Sequence, residues 1–242
     1  MSIHFLNCGT MHPYFPRVEN GITCLLAETN DGLVLVDTGF GMSDYLRPGR
    51  LMRLFTAAMR SPHDINETAI KQVEQLGYRL TDLRHIVMTH LHLDHAGGLS
   101  DFPHAKVHVY QPEYQHIRNK HLSWEYVPTH WAHNPDWVIY QLAGEAWYDF
   151  KAIQLPFTPE IWLIPLVGHT PGHCGVAIRN NSGWILHGGD AVPFNVSVDD
   201  VPDWISKLLI GPHVPRIREF IKKHPEVQVV SAHMALNFYE KS

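Results

Sequence analysis

The chain has 242 residues, 45% of them apolar and 18% charged, and a formal net charge of −5. This is ordinary globular composition with ample material for a core, and the length accommodates one large domain or two small ones. The acidic balance leaves no electrostatic footprint for a polyanion, no apolar run reaches the length of a bilayer span, and three cysteines far apart argue against a disulfide framework.

The start MSIHFLNCG lacks the basic residues and small-residue cleavage site of a signal peptide. With the cysteine usage it makes a reducing, cytoplasmic setting the expectation. Ile3–Asn7 reads as a first strand running into Cys8–Pro16, a proline- and aromatic-rich loop that is either a packed connection or one wall of a pocket. Ile22–Glu28 and Leu33–Asp37 are strand-like runs joined by Thr29-Asn30-Asp31-Gly32, residues that tolerate the left-handed backbone of a hairpin turn. The second run delivers a carboxylate, Asp37, at its tip. Met42–Arg60 is helical in pattern, with an interruption at Pro48-Gly49. Glu67–Leu76 carries a cleaner helix signature, with Asn66 as N-cap, Glu67 complementing the dipole, Ile70, Val73 and Leu76 as the stripe, and Gly77 as terminator.

The apolar run His85–Met88 reads as a buried strand. It feeds Thr89–Gly98, THLHLDHAGG, which packs His90, His92, Asp94 and His95 into six residues. In an extended segment residues two apart point the same way, so His90 and His92 can close on one ion. Asp94 and His95 face a different direction and could serve a second. Histidine with carboxylate suits a borderline divalent metal such as zinc. In a chain with 19 histidines a single one means little, and it is the spacing after a strand that carries weight.

Lys106–Tyr110 is the next strand, and Pro112, at the first helical position, opens a short helix to about Lys120. Between His121 and Trp147 the periodicity dissolves, in a segment holding Trp124, Tyr126, Trp131, Trp137, Tyr140 and Trp147 with His121, His130 and His133. It is too aromatic for disorder and reads as a packed excursion or, by its irregular length, a lid over a substrate. Ile161–Val167 is a strand ending in GHTPGH at 168–173. Gly175–Arg179 and Trp184–His187 form a second hairpin, followed by Gly188-Gly189-Asp190. Asp203–Ile210 and Pro215–His224 look helical, and Val227–Ser231 is a last strand ending in Ala232-His233. Cys174 is expected as a small buried side chain. No repeat, linker or low-complexity tract divides the chain.

Every candidate ligand falls just past the end of an apolar run: His90, His92, Asp94 and His95, then His169, Asp190 and His233. Strand ends in a layered α/β domain share one edge, so these residues can converge. With Asp37 in VDTG, HLHLDH at 90–95, His169 in GHTPGH, Asp190 in GGD and His233 in SAH, the chain resembles the metallo-β-lactamase-fold superfamily over nearly its whole length. The resemblance implies an α/β fold, a four-layer αββα sandwich forming one domain over 1–242, with an aromatic insertion around 121–147. It implies two divalent ions, zinc in the first place and Fe or Mn as alternatives. By position, His90, His92 and His169 would hold the first, Asp94, His95 and His233 the second, and Asp190 would bridge. Asp37 would orient a ligand histidine. A hydroxide bridging the ions would attack an ester-like carbonyl. Asp94 is the candidate proton shuttle to the leaving group, or else a ligand only. His173 has no metal role in the family pattern and is expected to be structural. His4, His12, His108 and His187 stay unassigned, with His12 in a loop that could rim the site.

Departures sort the functions within the superfamily. Asp190 separates the chain from class B β-lactamases, which lack a bridging aspartate there, and His92 from flavodiiron proteins, which carry glutamate. RNase Z-type and mRNA-processing relatives have further motifs and basic surfaces that this chain lacks. The leading expectation is a lactonase similar to the N-acyl-homoserine lactonases. A glyoxalase II-type thioesterase and a mononuclear-iron persulfide dioxygenase are the alternatives, and a non-enzymatic binding protein would have lost ligands. One departure counts against the lactonase: its tyrosine three residues after the bridging aspartate is replaced by Pro193, with Phe194 next. Tyr14 or a tyrosine of the insertion would have to substitute. Against the thioesterase, PRIREFIKKHPE shows no convincing counterpart of a glutathione-binding pattern. The expected partner is a small-molecule substrate, with no nucleic acid and no membrane, and a homodimer is left open.

Overall fold

The computed structural model describes residues 2–14, 19–119, 123–141, 144–192 and 211–239. The first sheet runs in the order β1 (Ile3–Met11), β2 (Asn20–Thr29), β3 (Gly32–Val36), β4 (Leu83–Val87), β5 (Lys106–Tyr110) and β6 (Asp136–Tyr140). Its first three strands are antiparallel and the rest add in parallel. Parallel neighbours need crossovers. These carry α1 (Met42–Leu46), α2 (Arg50–Ala58) and α3 (Ala69–Gln75) between β3 and β4, α4 (Leu93–Ala96) after β4, and α5 (Gln111–Ile117) after β5. The second sheet runs β12 (Val227–Val230), β11 (Gly183–His187), β10 (Cys174–Asn180), β9 (Ile161–Pro165), β8 (Phe150–Leu155) and β7 (Glu145–Trp147). Only β11 and β12 are parallel, and α6 (Val214–Lys223) makes that crossover.

Side-chain alternation sorts the residues into layers. Leu25, Ala27, Val34 and Val36 of the first sheet meet Ile161, Leu163, Val176 and Ile178 of the second in the central layer. Their neighbours Cys24, Leu26, Leu33 and Leu35 face the other way, onto Ala69 and Val73 of α3 and Ile117 of α5. On the far side Trp162, Ile164, Ala177 and Leu186 pack against Ile217 and Phe220 of α6. Strands covered on both faces have no polar side, so they read as continuous apolar runs. The result is the αββα sandwich that the motifs implied.

Several elements differ from expectation. β1 continues to Met11, because a bulge after Asn7 lets Thr10 and Met11 re-pair with Gly21 and Asn20. Residues 8–11 are therefore strand, not loop. α3 starts later than expected and takes Thr68, not Asn66, as its N-cap. The preceding Ile65–Glu67 forms a tight turn in which Asp64 accepts from the Asn66 amide, and Glu67 accepts from both the amide and hydroxyl of Thr10. Glu67 thus anchors β1 instead of complementing a dipole. α5 begins one residue before Pro112.

Residues expected as an irregular insertion contain a 3-10 turn (Pro128–Trp131) and two strands, β6 and β7. β6 is an edge strand with no fully buried residue, so it lacks the alternation that marks a strand in sequence. β8 was missed as well, as was β13 (His233–Ala235), which adds to β2. The expected helix at 203–210, Pro193 and Phe194 lie outside the described residues. No helix among the described residues is long and apolar enough to cross a membrane.

Candidate metal centre

Asp37 follows β3 in the left-handed region, φ 56°, an uncommon conformation for a residue with a side chain. It is wholly buried and accepts three hydrogen bonds: from the Thr89 amide (2.8 Å), the Thr89 hydroxyl (2.7 Å) and His95 Nδ1 (2.9 Å). The Thr89 hydroxyl spends its proton on Asp37, so it can only accept from His90 Nδ1–H, 3.0 Å away. One carboxylate therefore directs Nδ1–H of both histidines toward itself, directly or through Thr89, and both turn Nε2 the other way.

After β4 the chain is extended as far as His92, whose carbonyl then accepts from the amides of His95 and Ala96 to start α4. That change from extended to helical backbone splits the motif. His90 and His92 gather with His169, which lies past the end of β9, while Asp94 and His95 gather with His233 at the start of β13. Within each group the candidate ligand atoms lie within 4.8 Å of one another, and His90, His95 and Asp190 form a third such group between them.

Asp190, just past β11, spans the two. Its Oδ2 faces His169 Nε2 at 3.2 Å and His90 Nε2 at 3.9 Å. Its Oδ1 faces His95 Nε2 at 3.4 Å and His233 Nε2 at 3.3 Å. Two histidines fix the backbone that carries it. His173 Nε2 accepts the Asp190 amide (3.0 Å), while its Nδ1–H donates to the Leu166 carbonyl (3.2 Å). His187 Nδ1 accepts the Gly189 amide (3.3 Å), while its Nε2–H donates to the Thr23 carbonyl (2.9 Å). Each must be neutral to accept and donate at once. Burial supplies that condition, pushing His173 down to about 3 and lowering His187. Gly189 has φ 56°, and a Cβ there would lie 2.5 Å from His173 Nε2, so the loop requires glycine. Sequence reasoning left His173 as structural and His187 unassigned; both position Asp190.

The donor set fits a cation. His90 Nε2, His95 Nε2 and Asp190 Oδ1 are buried without a hydrogen-bond partner, an arrangement costing about 1–3 kcal/mol per group unless something accepts their lone pairs. Burial and neighbouring histidines hold His90 well below its usual range and His92 down at about 2. At His95 burial opposes the charged form, but Asp190, Asp94 and Asp37 outweigh it and raise the group. At His169 burial is outweighed in the same way by the hydrogen bond and charge of Asp190. Asp190 itself, despite burial, is held well below the carboxylate range by His95 and His233. The carboxylates thus favour positive charge at His95 and His169, a role that a divalent cation would take over.

A family model for the metallo-beta-lactamase superfamily matches residues 17–218. The chain belongs to that superfamily. It is 38% identical over 251 residues to a probable metallo-hydrolase of Mycobacterium tuberculosis, covering 96% of this chain and 80% of the relative. It is 28% identical over 212 residues to an N-acyl homoserine lactonase of Bacillus thuringiensis, covering 85% and 78%. Among solved structures, a mutant of B. thuringiensis AiiA with N-decanoyl-L-homoserine bound at its active site matches with a TM-score of 0.73 at 23% identity, over 99% of this chain and 95% of that one. An identity this low shows the fold alone. Family and relatives together make this superfamily member a metal-dependent hydrolase.

Other residues singled out in sequence are held in contacts of their own. His12 Nδ1 is 3.2 Å from Glu19, and its amide donates to Met59 just past α2. His4 contacts Tyr78, and His108 bonds both His85 and Tyr140. Cys174 is free and buried, with its thiol pushed up by burial, and its amide donates to the Thr89 carbonyl (2.8 Å). In the aromatic segment, His130 is buried against Asp44 (2.9 Å), and the Tyr126 ring meets His92 edge-on at 4.8 Å. Trp124 remains 58% exposed.

Proposed function

We propose that this chain is a dinuclear hydrolase of ester-like carbonyls whose substrate is a lactone. The observation that carries the dinuclear reading is Asp190, with one carboxylate oxygen turned toward His90 and His169 and the other toward His95 and His233. In this reading His90, His92 and His169 would hold one divalent ion, Asp94, His95 and His233 would hold the other, and Asp190 would contribute a carboxylate oxygen to each. The nitrogen-and-carboxylate donor set favours zinc, with iron and manganese as alternatives. Divalent ions bound there would supply an activated water at neutral pH and polarisation of a carbonyl.

The chain's own residues supply orientation and a proton path. Asp37 keeps the lone pairs of His90 and His95 turned inward. Asp94 is the most accessible carboxylate of the set, its side chain 15% exposed against 9% for Asp190 and 0% for Asp37. That exposure supports Asp94 as the group that passes a proton to the leaving alkoxide. The lactone reading is supported by the N-acyl homoserine lactonase among the sequence relatives and by the fold match to lactonases. Free, buried cysteines fit a cytoplasmic setting.

The test is a panel of lactones, thioesters and phosphodiesters assayed with added zinc, manganese or iron, together with metal analysis of the purified protein. About two zinc-like ions per chain and preferential lactone hydrolysis are expected. One iron per chain with oxygen consumption would replace this reading with the dioxygenase one.

A further inference from the structure

We infer that Glu113 is a positioning residue that assembles the His90, His92 and His169 group and leaves the other group untouched. The inference rests on the reading that this group holds an ion. Glu113 lies on α5, is fully buried, and receives four hydrogen bonds. Oε1 accepts from the Leu91 amide (2.9 Å) and the Tyr126 hydroxyl (3.0 Å). Oε2 accepts from the Thr170 hydroxyl (2.7 Å) and the Gly172 amide (3.1 Å).

The identity of those donors gives the arrangement its selectivity. Leu91 stands between His90 and His92, and Thr170 is next to His169. Tyr126 carries the ring that meets His92 at 4.8 Å. The two loops and the ring that shape one ligand group thus converge on a single carboxylate. Its four bonds reach no residue of the Asp94, His95 and His233 group. Gly172 completes the junction, since a Cβ there would lie 2.1 Å from the Glu113 amide nitrogen, so its loop rests directly on the first turn of α5.

The four donors also explain why the residue is a carboxylate. Each oxygen takes one hydroxyl, which can turn away, and one backbone amide, which cannot. Glu113→Gln has the same shape but replaces one acceptor by an NH2 group. Whichever way it is turned, either the Leu91 or the Gly172 amide faces another donor. One ligand-bearing loop is then released. Losses of about 10- to 100-fold in metal affinity are typical when a group supporting a ligand is removed.

The experiment places Glu113→Gln in two backgrounds and measures zinc affinity by competition with a chromophoric chelator. His233→Ala disables one group, so that the remaining ion reports on the other, and His169→Ala does the converse. Glu113→Gln is expected to weaken zinc about 10- to 100-fold in the His233→Ala background and by less than about threefold in the His169→Ala background. Equal weakening in both would reduce Glu113 to general stability, and no weakening in either would remove its role altogether. If Glu113→Gln does not fold, Tyr126→Phe and Thr170→Val each delete one donor and are expected to show the same selectivity in smaller steps. Their indifference would overturn the inference. Lactone turnover enters none of these readouts, so a wrong substrate assignment fails separately; a wild-type chain that binds no zinc would instead refute the metal reading beneath both.

Discussion

Replacing Thr89 by valine keeps the side-chain shape and removes one hydroxyl. In the native chain that hydroxyl donates to Asp37 at 2.7 Å and accepts from His90 Nδ1–H at 3.0 Å. The variant leaves the His90 N–H buried against a methyl group, a cost of about 1–3 kcal/mol for an unsatisfied donor. His90 can escape that cost by moving its proton to Nε2, which removes the lone pair facing Asp190. Binding an ion must then reverse that shift and restore the unsatisfied N–H, so the penalty falls on ion binding and corresponds to roughly 5- to 150-fold in affinity at about 1.4 kcal/mol per tenfold. Asp37 keeps the Thr89 amide (2.8 Å) and His95 (2.9 Å), so the group containing His95 should lose little. Stepwise zinc affinities measured by chelator competition would show one weakened step and one near wild type. Thr89→Ser, which restores the hydroxyl, should recover both, whereas Asp37→Asn should weaken both. Unchanged affinities in a folded Thr89→Val protein would refute the claim that this hydroxyl sets the tautomer.

Asp190→Ala is expected to abolish hydrolysis and to leave fewer than two ions per chain by metal analysis; full activity would rule out a bridging role. His173→Leu removes the acceptor of the Asp190 amide and should lower stability by about 1–3 kcal/mol in urea unfolding, with weaker zinc binding besides. A variant as stable as wild type would mean that the Asp190 loop is held by other contacts. Asp101 provides a pH test. Burial, with the neighbouring Asp44 charge, pushes its carboxyl up to about 6. A carboxyl raised in the folded state holds its proton there after the unfolded chain has released it. Stability is therefore lost as pH rises from about 4 to about 6. Asp101→Asn should gain up to roughly 3 kcal/mol over wild type above pH 6 and nothing near pH 4. Thermal melts that give the same difference at both pH values would contradict this assignment.

The grouping of the candidate ligands was legible in the sequence because each follows an apolar run, and the two sheets bring those ends to one edge. The direction change inside THLHLDHAGG was legible for the same reason, since period two gives way to a helical turn at His92. What escaped depends on partners far along the chain. His173 and Glu113 act by accepting backbone amides of other segments, and His187 by donating to the distant Thr23 carbonyl while it accepts the nearby Gly189 amide. Nothing in their own neighbourhoods names those distant partners. A buried polar residue beside a ligand motif was the available signal at His173, four residues after His169. Asn66 and Thr68 are both competent caps. The choice between them was made by Thr10, which draws Glu67 out of the helix, and local sequence cannot report that pull. β6 escaped because an edge strand with neither face buried has no alternation to read, and β13 because three residues are too few to show a period.

The candidate ligands divide between the sheets. His90 to His95 follow β4 and His233 opens β13 in the first sheet, while His169 and Asp190 follow β9 and β11 in the second. Ions held there would act as rivets between two halves that otherwise meet through an apolar layer and a few hydrogen bonds, such as those from His187 to the Thr23 carbonyl and from the Cys174 amide to the Thr89 carbonyl. By mass action, a thousandfold excess of metal over its dissociation constant adds about 4 kcal/mol to the folded state for each site. The melting temperature would then report the metal supply, and chelation would loosen the joint between the sheets before it disrupted either one.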